Sequence, residues 1–435
     1  MSAAVVVRRA LAVTCLFFAP ALSALGNDWP TFRGADRSGV SKETGLLPIW
    51  PLAGPPLAWK STGAGRGYGS LAIAGDRIFT LGDGPSSETD KDEYIVCFDR
   101  QSGKRLWSKK TGKPWTSGQP SWRSSRSTPT VDGDVVYIVT PFGELYCLNT
   151  ADGKERWKKH LKDDLDGKKG DSWGYSESPL IDGDHLICTP GGPKATMVCL
   201  DKRTGSVIWT TVRPGDRGAG HACIMPSEIG GTKVYVQTTA SGPLGVRASD
   251  GKLLWSHAVD PTPAIIPTPI VRGDLVFVSI GYKRGGTLLK QVPAGDGGVD
   301  VKEIYPLDPR MGNKHGGVVL VDEYVYGDTE DSGVPFCAEL LTGKLMWKKR
   351  GSGRGSAAIA AADGHLYLHF ANGTMVLALA EPKGYREVSS FKVPGGGDRP
   401  SWSHPAIVDG KLYLREQDQI LCYDVRKARS SVAGR

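Results

Sequence analysis

The chain has 435 residues, of which 40% are hydrophobic and 23% charged, with 57 Gly and 29 Pro. That balance supplies a core and demands frequent turns, which argues against disorder, a collagen-like repeat and a simple helical bundle. The formal net charge is +8, and no apolar run of about 18 residues or more lies beyond the N-terminus, so no later membrane span is expected.

Arg8 and Arg9 precede an apolar stretch over 10–25 that is broken by Pro20. This is the layout of a secretory signal, too short to span a membrane well. Cleavage after Gly26 or after Ser23 satisfies the preference for small residues, and residues 1–26 are read as the signal peptide. Its removal takes two Arg and no acid, lowering the net charge from +8 to +6. An exported chain is therefore expected, in the periplasm or outside the cell. Cys15 lies mid-way along the apolar stretch, which argues against a lipid anchor. Residues 27–56 are read as an extension packed on the domain that follows.

From Trp59 onward a tryptophan recurs at 107, 157, 209, 255 and 347, with gaps of 46 to 52 and a last gap of 92. That last gap is two periods, so a degenerate unit lies inside it, with Tyr305 near the expected place; Phe391 follows Trp347 by 44 residues. Gly103, Gly153, Gly205, Gly251 and Gly343 each stand four residues before a Trp. Upstream, eight hairpin markers separate β-rich runs, from Gly75-Asp76 and Gly133-Asp134 to Asp363-Gly364 and Asp409-Gly410. Between markers the residues alternate as strands do, as in Val135-Val136-Tyr137-Ile138-Val139. Four short strands per period of 40–50 residues predict propeller blades. The fold class expected is all-β: an eight-bladed propeller over 57–425, each blade a four-stranded antiparallel sheet. The last unit lacks a terminal strand and 57–61 is a terminal strand without a unit, so the two are expected to pair and close the ring. Residues 426–435 form a basic tail, expected to be disordered.

Cys97, Cys147, Cys199, Cys337 and Cys422 recur at one place in the repeat, and an odd total of seven cysteines remains after residue 26. Equivalent positions point to small buried residues, not to a disulfide framework; only Cys188 and Cys223, outside the pattern, are candidates to pair.

The run from Cys97 through Asp99 and Gly103 to Trp107 resembles the tryptophan-docking motif of pyrroloquinoline quinone (PQQ) type propeller repeats. It recurs from Cys147 to Trp157, from Cys199 to Trp209 and from Cys337 to Trp347, while the copy from Gly245 to Trp255 has Arg247 in the acidic place. The resemblance implies that Trp59, Trp107, Trp157, Trp209, Trp255 and Trp347 dock between neighbouring blades, a structural task. The opening Trp29-Pro-Thr-Phe32-Arg33-Gly34 through Gly39-Val40 also resembles the start of secreted PQQ-like repeat proteins. In size and blade number the chain is similar to the outer-membrane assembly factor BamB, which implies a non-catalytic scaffold.

In a propeller the segments joining one blade's outer strand to the next blade's inner strand rim the channel on one face. Here they carry Arg66 and Tyr68; Trp122, Arg123 and Arg126; Trp173, Tyr175 and Glu177; His221; Lys314 and His315; Arg354; and Arg399, Trp402 and His404. Guanidinium groups pair with carboxylates and Trp faces stack on flat rings or sugars, so an anionic or planar ligand suits this rim. The reading favoured is an exported binding or protein-interaction scaffold, monomeric, with an envelope protein or a glycan as partner and no nucleic acid. The alternative is a PQQ-dependent dehydrogenase of alcohols or sugars, which the resemblance associates with PQQ and Ca²⁺ held by a Glu, an Asn and an Asp. Glu177 is the only carboxylate in the rim set and Asn313 the only amide nearby, so no cofactor, metal or catalytic residue is assigned.

Overall fold

A computed structural model describes residues 28–84 and 92–427. The expected signal peptide and the tail beyond residue 427 lie outside the described residues.

Eight four-stranded antiparallel sheets follow one another around a ring. The first blade runs from Ala72–Ala74 to Arg105–Gly112, the second from Thr130–Asp132 to Glu155–His160, and the third from Leu180–Asp182 to Val207–Thr211. The fourth runs from Met225–Ile229 to Leu253–Ser256, the fifth from Ile270–Arg272 to Gly298–Asp308, the sixth from Val318–Val321 to Leu345–Lys348 and the seventh from Ala357–Ala362 to Glu387–Lys392. The eighth has Ala406–Val408, Lys411–Glu416 and Gln419–Asp424, and its outer strand is Leu57–Thr62 from the other end of the chain. The predicted ring closure is thus present. It buries a cluster shared by blades eight and one, where Tyr413 and Cys422 meet Ile73, Ile78 and Phe98.

The inner hairpins turn at the eight predicted markers. Gly133 takes φ +58° there, and Asp322, Asp363 and Asp409 take the same left-handed conformation in the later blades, which Asp tolerates better than most side chains.

The docking motif has a simple geometry. Each Trp stands opposite a small residue in the neighbouring strand of its own sheet: Trp107 opposite Cys97, Trp157 opposite Cys147, Trp209 opposite Cys199, Trp255 opposite Gly245, Trp347 opposite Cys337. The rings of Trp107, Trp157 and Trp209 then cover the motif glycine of the next blade, Gly153, Gly205 and Gly251. A Cβ on Gly153 would lie 2.8 Å from the Trp107 ring, and one on Gly205 2.8 Å from the Trp157 ring. The indole N–H donates into that next blade, from Trp107 to the Thr150 carbonyl (3.1 Å) and from Trp347 to the Glu381 carbonyl (2.8 Å). Tyr305 and Phe391 hold the same station in blades five and seven, where the facing residues are the larger Leu288 and Met375. The seven described cysteines are buried free thiols, Cys188 and Cys223 included, and burial pushes the Cys97 thiol up to about 12.

Candidate functional site: a channel closed at one end

The opening motif threads the centre of the ring. Trp29 pairs with Ile73 of blade one, its N–H and carbonyl each 2.8 Å from their partners. Thr31 Oγ1 lies 2.8 Å from Thr130 Oγ1 of blade two. Arg37 donates to the carbonyls of Ser178 (3.0 Å) and Ile224 (3.3 Å), just before blades three and four. Arg33 donates to the Val318 carbonyl of blade six, Val40 bridges Ala361 of blade seven, and Ser41 Oγ donates to the Ile407 carbonyl of blade eight at 2.8 Å. Seven blades therefore hold one segment, which plugs the channel. Trp50 of the same extension packs against Phe391 and Tyr367, while the Lys427 N–H donates to the Gly45 carbonyl at 2.9 Å. Arg33 and Arg37 are buried against carbonyls, and burial lowers the Arg33 pKa to about 10; both stay charged at neutral pH.

Above the plug the crossover segments enclose a cavity of about 1020 Å³, with Phe32 and Arg33 in its lining, at the upper end of the usual range for ligand pockets. Eleven of the fifteen rim residues expected from sequence line it: Tyr68, Trp122, Arg126, Trp173, His221, Lys314, His315, Arg354, Arg399, Trp402 and His404. Arg66, Arg123, Tyr175 and Glu177 do not. Arg66 meets Asp83 through backbone bonds, and Arg123 donates to the Gly118 carbonyl at 3.3 Å. Tyr175 lies under blade two with its hydroxyl donating to the Pro190 carbonyl at 2.8 Å. Glu177 is buried and accepts from the Thr189 N–H (2.7 Å), Thr189 Oγ1 (3.0 Å) and Gln237 Nε2 (3.0 Å); burial pushes its carboxyl up to about 7. Successive residues of an extended segment point to opposite sides. With Tyr175 and Glu177 turned into the ring, Ser176 between them faces the cavity, a residue that the aromatic and charged pattern of the rim does not signal.

The wall is aromatic on one side. His315 stacks on Trp402 with centroids 4.3 Å apart and planes 21° from parallel, Trp402 meets Tyr68 at 4.9 Å, and the Arg126 guanidinium lies 5.8 Å from the Tyr68 ring centre. Burial lowers the pKa of His315 and His404 to about 3, so both rings are neutral. Six cationic side chains line the cavity against two carboxylates, Asp331 and Asp398. Lys314 is paired with Asp331 at 2.6 Å. Arg126, Arg354 and Arg399 donate only to carbonyls or a hydroxyl, and among the described residues none of the three has a carboxylate within ion-pair distance.

The calcium arrangement implied by the dehydrogenase resemblance is not made by the residues assigned to it. Glu177 is saturated by Thr189 and Gln237, while Asn313 is buried and donates to the Asp328 carbonyl (3.0 Å) and carboxylate (2.8 Å). Neither lines the cavity, and a hard cation needs six to eight oxygens converging on one point.

Residues 91–349 match the family model described as outer membrane protein assembly factor BamB. The chain belongs to this BamB family of PQQ-like propellers. Among curated relatives, tetrathionate hydrolase of Acidithiobacillus ferrooxidans is 24% identical over 391 residues, covering 86% of this chain and 66% of that protein. BamB of Nitrosomonas eutropha is 23% identical over 244 residues, covering 52% of this chain and 51% of its own length. The chain thus spans between half and two thirds of these relatives. The crystal structure of quinohemoprotein alcohol dehydrogenase from Comamonas testosteroni superposes with a TM-score of 0.62 over 94% of this chain and 82% of that one, at 13% identity; at that identity the likeness is one of fold. The BamB-family scaffold is therefore shared by proteins with and without enzyme names.

Proposed function

We propose that this chain is an exported, monomeric propeller that binds a small anionic ligand with a planar or sugar-like face in the plugged channel. The observation that carries this reading is the excess of guanidinium groups without carboxylate partners, Arg126, Arg354 and Arg399, around a concave cavity floored by Phe32. Arginine binds carboxylates, sulfonates and phosphates through its fork of donors, and the Trp402–Tyr68–His315 stack offers a flat apolar face beside it. That a relative over most of this chain is named for an anionic substrate, tetrathionate, agrees with the charge. The scaffold expected from sequence becomes, on this geometry, a ligand-binding one; a cup favours a small molecule over a flat protein surface.

The test is fluorescence titration of the chain lacking residues 1–26 with tetrathionate, citrate, glucuronate and PQQ with and without Ca²⁺. Saturable quenching by at least one anion is expected, weakened at least tenfold by Arg399→Ala and by raised salt. An absence of quenching by all four would overturn the reading. Turnover of alcohols with dye reduction in the presence of PQQ would replace it by the dehydrogenase.

The family match favours a second reading, docking of an envelope assembly partner. Pull-down of an outer-membrane protein that is indifferent to Arg399→Ala would support it.

A further inference from the structure

Two neighbouring crossovers bring Ser176, His221 and Asp171 into one connected line on the cavity wall. Ser176 Oγ lies 2.5 Å from His221 Nδ1. His221 Nε2 lies 3.0 Å from Asp171 Oδ2. The carboxylate is fixed from its other sides: the Trp173 N–H donates to Oδ1 at 2.9 Å, and Lys169 Nζ, itself donating to the Gly220 carbonyl at 2.6 Å, lies 3.4 Å from Oδ2. Ser176 and His221 line the cavity, whereas the Asp171 side chain is almost wholly buried.

This order of groups decides the tautomer. A carboxylate at Nε2 retains the proton there, so Nδ1 carries the lone pair and faces the serine hydroxyl. Burial lowers the His221 pKa and Asp171 opposes that shift; the net lowering keeps the ring unprotonated at neutral pH, as a base must be. Burial works against ionisation of Asp171, but the Lys169 ammonium and the hydrogen bonds donated by the His221 ring and the Trp173 N–H outweigh it and hold its carboxyl well below the usual range. Nucleophile, base and orienting carboxylate are thus in hydrogen-bond order, with the two imidazole nitrogens exchanged relative to the trypsin-like arrangement. Arg126 borders the same wall, one of its N–H groups donating to the Trp173 carbonyl at 3.4 Å, and its positive charge can receive an anionic substituent or a developing oxyanion.

We propose that Ser176, His221 and Asp171 form a hydrolytic triad that cleaves small carboxylic esters bearing an anionic group. The proposal rests on the anion-binding reading for its substrate class, and it replaces the non-catalytic role expected from sequence. As Ser176 Oγ bonds to the acyl carbon, its proton passes to His221 Nδ1. The ester C–O bond breaks and the departing alkoxide takes that proton as the alcohol. Water then attacks the acyl-serine, giving its proton to Nδ1, and Ser176 Oγ leaves with that proton restored. Ester and water become acid and alcohol, with no oxidant or cofactor consumed.

The experiment uses the chain lacking residues 1–26, a fluorophosphonate probe with peptide mapping, and hydrolysis of p-nitrophenyl hemisuccinate against p-nitrophenyl acetate. Labelling at Ser176 and a preference of tenfold or more for the anionic ester are expected. Ser176→Ala should abolish the label and lower kcat about a thousandfold or more, and Asp171→Asn should lower kcat by a comparable factor with KM little changed. Absence of a label at Ser176 in the folded wild-type chain, or turnover surviving in Ser176→Ala, would overturn the proposal; the labelling step needs no variant to fold. The two readings fail separately. Anion quenching without a label sinks the triad and leaves the binding cup. A label with no discrimination between the two esters and no quenching sinks the anionic substrate class.

Discussion

Trp59 stands directly opposite Cys422, the first strand of the propeller against the last, and its ring covers Gly103 of blade one, where a Cβ would lie 2.5 Å from it. One side chain therefore joins the chain's two ends and the blade beyond them. Trp59→Ala removes the ring from this three-way contact and should cost about 3 to 5 kcal/mol. Thermal unfolding checks it. Because the closing strand is what makes the ring one cooperative unit, the transition should also broaden or split, whereas a loss confined to a lower midpoint would mean closure is carried by the backbone pairs alone.

Gly153 lies under Trp107 with φ +70°, and a Cβ there would meet the ring at 2.8 Å. Gly133, at a hairpin tip, has φ +58° and nothing within 4 Å of its would-be Cβ. Gly133→Ala should cost about 1 kcal/mol, the conformational penalty alone, and Gly153→Ala about 1 to 3 kcal/mol more, since the Trp must move. Equal costs in urea unfolding would show that the docking contact yields freely.

Blade seven places Phe391 opposite Met375, where other blades place Trp opposite Cys. The large partner and the smaller ring are complementary, so Phe391→Trp alone should overpack the site, costing about 1 to 3 kcal/mol. Met375→Cys alone should leave a void. The double variant rebuilds the pairing of the other blades, and a coupling of about 1 kcal/mol or more in its favour is expected from the four stabilities; simple additivity would mean the two residues do not sense each other.

These contacts also show where the amino-acid sequence was readable. The Trp period fixed blade number and ring closure, and Tyr305 and Phe391 were found from spacing alone because the docking station recurs at a set distance. Their partners Leu288 and Met375 were not, since the longer connections in blades five and seven put them 17 and 16 residues before the ring, against ten in the docking motif. The rim followed from topology, but Tyr175 and Glu177 were misjudged as candidates to face the cavity because neighbouring residues of an extended segment point opposite ways. Ser176 escapes the pattern for the same reason, and Asp171 because its carboxylate is buried behind His221 and not on the rim. The sequence implies an extension packed on the propeller but not its path through the channel: its bonds run from residues 29–41 to seven blades, as far along the chain as Ile407, and no local pattern encodes partners so distant.

Glu93 is buried beside Asp83, which is its cross-strand partner, and accepts from Thr111 Oγ1 at 3.0 Å and from Ser125 Oγ. Burial pushes its carboxyl up from 4.5 to about 8. Below pH 4.5 both folded and unfolded chains hold the proton, and the group is neutral to stability. Between about 5 and 8 the unfolded chain releases the proton and the folded chain retains it, so the folded state loses ground steadily as pH rises. Glu93→Gln mimics the protonated carboxyl, with one oxygen accepting and the amide nitrogen donating to the other hydroxyl, and removes the titration. Its stability should match that of the wild type near pH 4 and exceed it increasingly up to pH 8, by at most about 4 kcal/mol. Melting temperatures measured in steps across that range decide the matter: a constant offset at every pH would place the effect in packing, and a variant that falls below wild type only at high pH would mean Glu93 is ionised and paired in the folded chain.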